Sequence, residues 1–148
     1  MKFFWIITVS NPYCDYLLRG LKTMELRRRL PDIVEGDIIF VCRKGYGTEI
    51  VGAFKLEQII CRTVDFFCQP YIRTKHRVCA EEVIKYAHQS PALYGLILSR
   101  IRFGECIKVE DFGYTRNPQN FYRIKVDFWH KIPPMFFERE KENNANEE

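Results

Sequence analysis

The most pronounced pattern along the chain is an apolar run near its start, Phe3-Phe4-Trp5-Ile6-Ile7-Thr8-Val9. Aromatic and β-branched residues suit a pleated, buried surface, so this run predicts a buried first strand. It is short for a signal peptide, no small-residue cleavage site follows it, and it falls far below membrane-spanning length. Ser10-Asn11-Pro12 then predicts a helix start, with Asn11 as the cap and Pro12 in the first helical position. Leu17, Leu18 and Leu21, with Tyr13 and Cys14 one turn earlier, make an apolar stripe at helical spacing. The helix is expected from about Pro12 to Arg19, with Gly20 ending it in a left-handed conformation.

From about Thr23 to Arg28 the period changes to two. Met24 and Leu26 then share a core face, while Thr23, Glu25 and Arg27 share an outward face beside Lys22. On this reading Arg28 points away from Arg27. Further strands are expected over Ile38–Cys42, about Glu49–Ile60, Leu93–Ile101 and Phe121–Trp129, with a turn and short strand between Phe103 and Asp111. Glu35-Gly36-Asp37 and Lys44–Gly47 read as turns. A second helix is expected over Ala80–His88, stopped by Ser90-Pro91, with Val83, Ile84 and Ala87 inward. The stretch Arg62–Val78 is less regular and reads as a long functional loop or ordered excursion.

Strands therefore outnumber helices and lack the βαβ rhythm of a parallel sheet. The predicted class is α+β: a small, mostly antiparallel β-barrel or curved sheet with about two peripheral helices. One domain over residues 1–130 is expected, followed by an extension, 131–148, ending in a disordered acidic tail.

Charge changes the picture by its distribution. The 148 residues carry a formal net charge of +4. Residues 138–148 hold five Glu against Arg139 and Lys141, a net −3, which leaves the body at +7. A basic body suggests a polyanionic partner, although a merely basic protein would show the same charge. The six cysteines form no CxxC pair, as expected of buried thiols in a reducing, cytoplasmic setting. Cys68, His76 and Cys79 lack a fourth ligand at a recognisable spacing, so no metal site and no cofactor are expected.

Gly20-Leu21-Lys22-Thr23-Met24-Glu25-Leu26-Arg27, placed after a strand and a Pro-started helix, resembles the GxKxxExR signature of the ASCH domain, a family in the PUA-like superfamily of β-barrels. Residues 29–41, RLPDIVEGDIIFV, resemble the family's next turn and strand, and EIVGAFKLE, LYGLILS and RNPQNFY resemble later elements, so that the likeness spans about residues 1–128. The resemblance implies a basic cleft beside the signature that binds RNA or modified bases. One bacterial branch of the family hydrolyses acetylated cytidine with a Lys and a Thr in this strand. Lys22 matches that Lys, whereas Glu25 stands where the Thr would be, which argues against that activity here.

The candidate site is therefore Lys22, Thr23, Glu25, Arg27 and Arg29. Arg27 can clamp a phosphate or base edge, Lys22 can offer a point charge, and Glu25 can accept from an exocyclic amine. If the chain is an enzyme, Glu25 is the general base and Lys22 the oxyanion stabiliser. As a mere surface ion pair the cluster would contribute only about 0–1 kcal/mol. Tyr46, Tyr71 and Tyr114, beside basic residues, are candidate stacking platforms, and Arg73, His76 and Arg116 are candidate contacts. The leading expectation is a module that binds RNA or a modified nucleotide. The alternatives are a hydrolase acting on RNA or acylated nucleosides, and a regulatory module whose acidic tail docks a protein.

Overall fold

A computed structural model describes residues 2–137. The acidic tail lies outside the described residues. The elements run β1 (Phe4–Val9), α1 (Tyr13–Leu18), β2 (Met24–Arg27), β3 (Ile38–Arg43), β4 (Ile50–Thr63), α2 (Val64–Cys68), α3 (Pro70–His76), α4 (Ala80–Ala87), β5 (Ala92–Ile101) and β6 (Phe121–Arg123). Two 3-10 turns, Val109–Phe112 and Val126–Lys131, follow β5 and β6.

The strands form one six-stranded sheet in the order β2-β5-β4-β3-β1-β6. Strands β1 and β3 pair in parallel, with Ile6 opposite Phe40, and the other pairings are antiparallel. The expected α+β class holds, but the sheet is mixed and does not close into a barrel. Strands β2 and β6 remain as edges, and β-bulges at Val41/Cys42 and Leu56/Gln58 bend the strands between them.

Strand β1 explains its apolar run. Phe4 and Ile6 enter one core with Phe40, Phe112 and Phe136, while Trp5, Ile7 and Val9 enter another with Leu17, Phe54 and Leu56. Both faces are covered, so the usual polar alternation is absent. A third cluster packs Phe67, Val83 and Ala87 of the helices onto Met24, Leu26 and Leu93. The buried Asp37 carboxylate accepts from Trp5 Nε1 at 2.9 Å and from the Phe3 and Val34 amides, which locks the entry to β3 onto β1.

Several expectations need correction. There are four α-helices among the described residues, and the stretch from Arg62 holds two of them. Thr63 caps α2 by accepting from the Phe66 amide, and Pro70 opens α3. Asn11 caps nothing: Pro12 occupies the cap position of α1. Gly20 does end that helix, at φ +75°. The short strand expected before Asp111 is a 3-10 turn, and the last strand stops at Arg123 because Val126–Lys131 coils into another. Ile132 and Phe136, in the expected extension, are buried in the first core. Of the cysteines, Cys14 and Cys42 are buried, whereas Cys61, Cys79 and Cys106 are exposed. No helix among the described residues is long and apolar enough to cross a membrane.

Candidate functional site

The alternation along β2 holds, but its polar face is covered. Met24 and Leu26 enter the core as expected, while Glu25 is only 8% exposed and Lys22 only 2%. Strand β2 hydrogen-bonds β5 on one side only. Helix α4, whose Val83 packs with Met24 and Leu26, and the end of β1 flank the strand, and the gap between them is a cleft of about 240 Å3 lined by Lys22, Glu25 and Arg27.

Glu25 sits in that cleft between two cations. Its Oε1 lies 3.2 Å from Lys22 Nζ, and its Oε2 accepts from an Arg27 terminal nitrogen at 3.0 Å. Burial pushes the Glu25 carboxyl up, yet Lys22 and Arg27 together outweigh burial and hold it below the ordinary carboxylate value. Glu25 is therefore ionised at neutral pH, with a further lone pair on each oxygen. Burial pulls the Lys22 ammonium below its ordinary value, against the opposing pull of Glu25. Lys22 also donates to the His76 carbonyl at 2.7 Å and lies 5.4 Å from the Tyr13 ring centre. The point charge that the sequence offers at Lys22 is thus a buried one.

Arg27 spans the open side of the sheet. It donates to the Thr8 carbonyl at 3.3 Å, and its guanidinium lies 5.4 Å from the Phe121 ring centre. The two sheet edges thus meet through a side chain where a barrel would have paired strands. Arg27 Nε is buried without a partner.

The other expected site residues are divided by the fold. Leu21, Lys22 and Thr23 are laced to the end of α3 by three bonds: Arg77 Nε to the Leu21 carbonyl, Lys22 Nζ to the His76 carbonyl, and the Thr23 amide to the Lys75 carbonyl. The stretch Arg62–Val78 is thus a brace behind the signature. His76 is fully buried and does not line the cleft. Its Nδ1 accepts from the Val78 amide at 3.1 Å, so its Nε2–H donates to the Phe67 carbonyl at 2.8 Å. Desolvation holds the imidazole below its ordinary pKa, with Lys22 adding to the effect. Thr23 is exposed beside this brace and lies outside the cleft wall.

Tyr71 and Arg73 belong to α3 and do not reach the cleft. Tyr71 is exposed, with Lys75 Nζ 5.2 Å from its ring centre, and Arg73 borders a separate open depression. Tyr46 is 70% exposed under Arg43, away from the cleft, and Arg116 is exposed in the loop before β6. Tyr114 stacks on Tyr122 at 4.0 Å and is already occupied. Arg29 lies near the signature, with Arg27 and Arg28 around an adjoining cavity. Arg28 sits at the bend that follows β2 and borders the same cavity as Arg27.

Sequence reasoning missed Tyr13, Glu82 and Tyr86 as wall residues. Tyr13 was visible only as part of an apolar stripe, and Tyr86 sits three residues after the inward Val83. The Tyr13 hydroxyl is pushed above its ordinary pKa by burial and then by Glu82, so it remains a donor. Among the described residues no group of three or more His, Cys, Asp or Glu is placed to hold a metal ion.

An open mixed sheet, with Glu25 and Arg27 of an edge strand and the preceding Lys22 lining a small cleft, defines a class of α+β fold. Crystal structures give that class a name. The ASCH protein of Zymomonas mobilis superposes with a TM-score of 0.74 at 18% identity, covering 87% of this chain and 92% of that one. A tyrosine-to-phenylalanine variant of that protein superposes with a TM-score of 0.73, and a serine-to-alanine variant with 0.74, each at 19% identity over 88% of this chain. The chain therefore has the ASCH fold. No protein-family model and no curated protein matches the sequence.

Proposed function

We propose that the chain is an RNA- or nucleotide-binding module of the ASCH type that takes one base into the Glu25 cleft. One observation carries the reading: an ionised carboxylate, nearly buried, lies between two cations in a cleft walled by Tyr13 and Tyr86. Drug-sized ligands occupy roughly 300–1,000 Å3, so 240 Å3 suits a single base or nucleoside. Glu25 accepts from an exocyclic amine, and Lys22 Nζ, which lines the same cleft, donates to a ring acceptor beside it. Cytosine and adenine carry that donor–acceptor pair on one edge. The test is a screen of nucleosides and short single-stranded oligonucleotides at two salt concentrations. Binding that Arg27→Ala abolishes supports the reading, and wild-type protein that binds none of them refutes it.

A second reading, hydrolysis of RNA or acylated nucleosides, draws on the presence of Ser10 and a desolvated Lys22 in the same cleft. Glu25 would then act as general base and Lys22 would stabilise the oxyanion. Turnover lost in Lys22→Ala would favour it over simple binding.

A further inference from the structure

A cavity of about 410 Å3 opens beside the cleft and shares Arg27 and Tyr86 with it. Its wall holds three consecutive cations, Arg27, Arg28 and Arg29, and no carboxylate. The cleft differs, because there Glu25 and Glu82 offset Lys22 and Arg27. Among the described residues neither Arg28 nor Arg29 forms an ion pair, whereas Arg27 is paired with Glu25. Arg27 Nε adds a buried donor with no partner in the protein. Arg43 Nε and Arg73 Nε are likewise buried without a partner, so this donor adds to the cavity's chemistry without defining it.

The aromatic rings of this cavity decide what kind of ligand it suits. The Arg27 guanidinium lies 5.4 Å over the Phe121 ring and the Arg28 guanidinium 5.4 Å over the Tyr86 ring. A ring face that holds a guanidinium is not free to stack a base, while the ring holds that cation in a fixed orientation. The wall presents oriented N–H forks and uncompensated charge, which match phosphate oxygens.

We infer that the arginine cavity is a phosphate subsite, so that the ligand is a phosphorylated nucleotide or a nucleic-acid strand and not a free base or nucleoside. The inference rests on the base-cleft reading and extends it. Terminal phosphates of a mononucleotide and the backbone of a strand present the same chemistry.

Calorimetric titration of the full chain separates these cases, with cytidine and adenosine, their 5′-mono- and triphosphates, a single-stranded tetranucleotide and pyrophosphate as probes. The monophosphate is expected to bind about tenfold or more tightly than its nucleoside, and salt reduces that advantage. In Arg28→Ala/Arg29→Ala, two exposed positions whose loss leaves the core intact, the ratio of nucleotide to nucleoside affinity falls toward one. The salt slope for the tetranucleotide becomes shallower by about 0.7 per arginine removed. A larger gain for the triphosphate assigns the cavity to terminal phosphates, and a larger gain for the tetranucleotide assigns it to a strand. Equal affinity for nucleoside and nucleotide, or an unchanged ratio in the double variant, overturns the subsite and leaves the base cleft standing. Pyrophosphate binding that the double variant loses, with no nucleoside binding, overturns the base cleft and leaves the subsite standing. Failure of every probe overturns both.

Discussion

The Arg27 guanidinium lies 5.4 Å over the ring of Phe121, so the two edge strands of the sheet, β2 and β6, meet through this side chain. The same guanidinium holds Glu25 and the Thr8 carbonyl. One residue thus closes the open side of the sheet and forms part of the cleft. Arg27→Ala is expected to cost about 1–3 kcal/mol, since it removes a largely desolvated cation–π contact and a charge-assisted hydrogen bond. Arg27→Lys should recover part of the stability but little of the ligand affinity, because an ammonium lacks the planar fork. Urea unfolding and a binding titration on both variants separate the two effects.

Lys22 and Glu25 form a buried pair, so their energetics differ from those of the surface pair that the sequence suggests. Removing one partner strands a charge and is expected to cost about 3–5 kcal/mol. Lys22→Met/Glu25→Gln should therefore cost much less than the sum of its two single changes. A double-mutant cycle in urea measures the coupling, and additive single costs would contradict the pairing.

His76 gives the fold a pH dependence of known sign. Its folded pKa is lowered from the ordinary 6.5 by burial, so the unfolded chain binds the proton more readily. Stability should fall as pH drops from 6.5 toward the folded pKa, by at most about 1.4 kcal/mol per pH unit, and level off below it. Protonation would set the Nδ1–H against the Val78 amide. In His76→Gln this component of the slope disappears, as stability measurements between pH 4.5 and 7.5 would record.

Gly95 seats the signature strand. A Cβ there would meet Met24 Sδ at 2.9 Å, Ile60 at 3.1 Å and Phe67 at 3.1 Å. The Met24 end can give way, but the other two belong to packed core. Gly95→Ala is expected to lower stability by about 1–3 kcal/mol, measured as a lower urea midpoint.

The local pattern was largely legible in the chain. Phe3–Val9 announces β1, Gly20 ends α1, and the alternation over Thr23–Arg27 sorts Met24 and Leu26 from Glu25 and Arg27. These features depend on neighbours within a few residues, where backbone geometry alone sets the outcome. What walls the cleft around Glu25 was not legible, because Tyr86 and Glu82 arrive from a helix some sixty residues along the chain. The stretch Arg62–Val78 read as either a long functional loop or an ordered excursion, and its two helices make it the second. Its decisive features are the Thr63 cap, the Pro70 start and carbonyls that hold Leu21–Thr23 in place. Tyr46, Tyr71 and Arg116 were chosen for exposure beside charge, a local property that says nothing about which surface they share. Closure of the sheet was likewise beyond local pattern, since it turns on whether β2 and β6 pair or are bridged by Arg27.

Glu25 is proposed to read a base inside the cleft. The most direct test is the titration of isotopically labelled protein with cytidine and adenosine, followed through amide chemical shifts, in the wild type and in Glu25→Gln. A thermal melt first establishes that the variant is folded. Shifts are expected to concentrate at Thr8–Ser10, Lys22–Arg27 and Val83–Tyr86, with a Kd raised about tenfold or more in Glu25→Gln. Equal affinity in the two proteins, or shifts centred away from these residues, would contradict it.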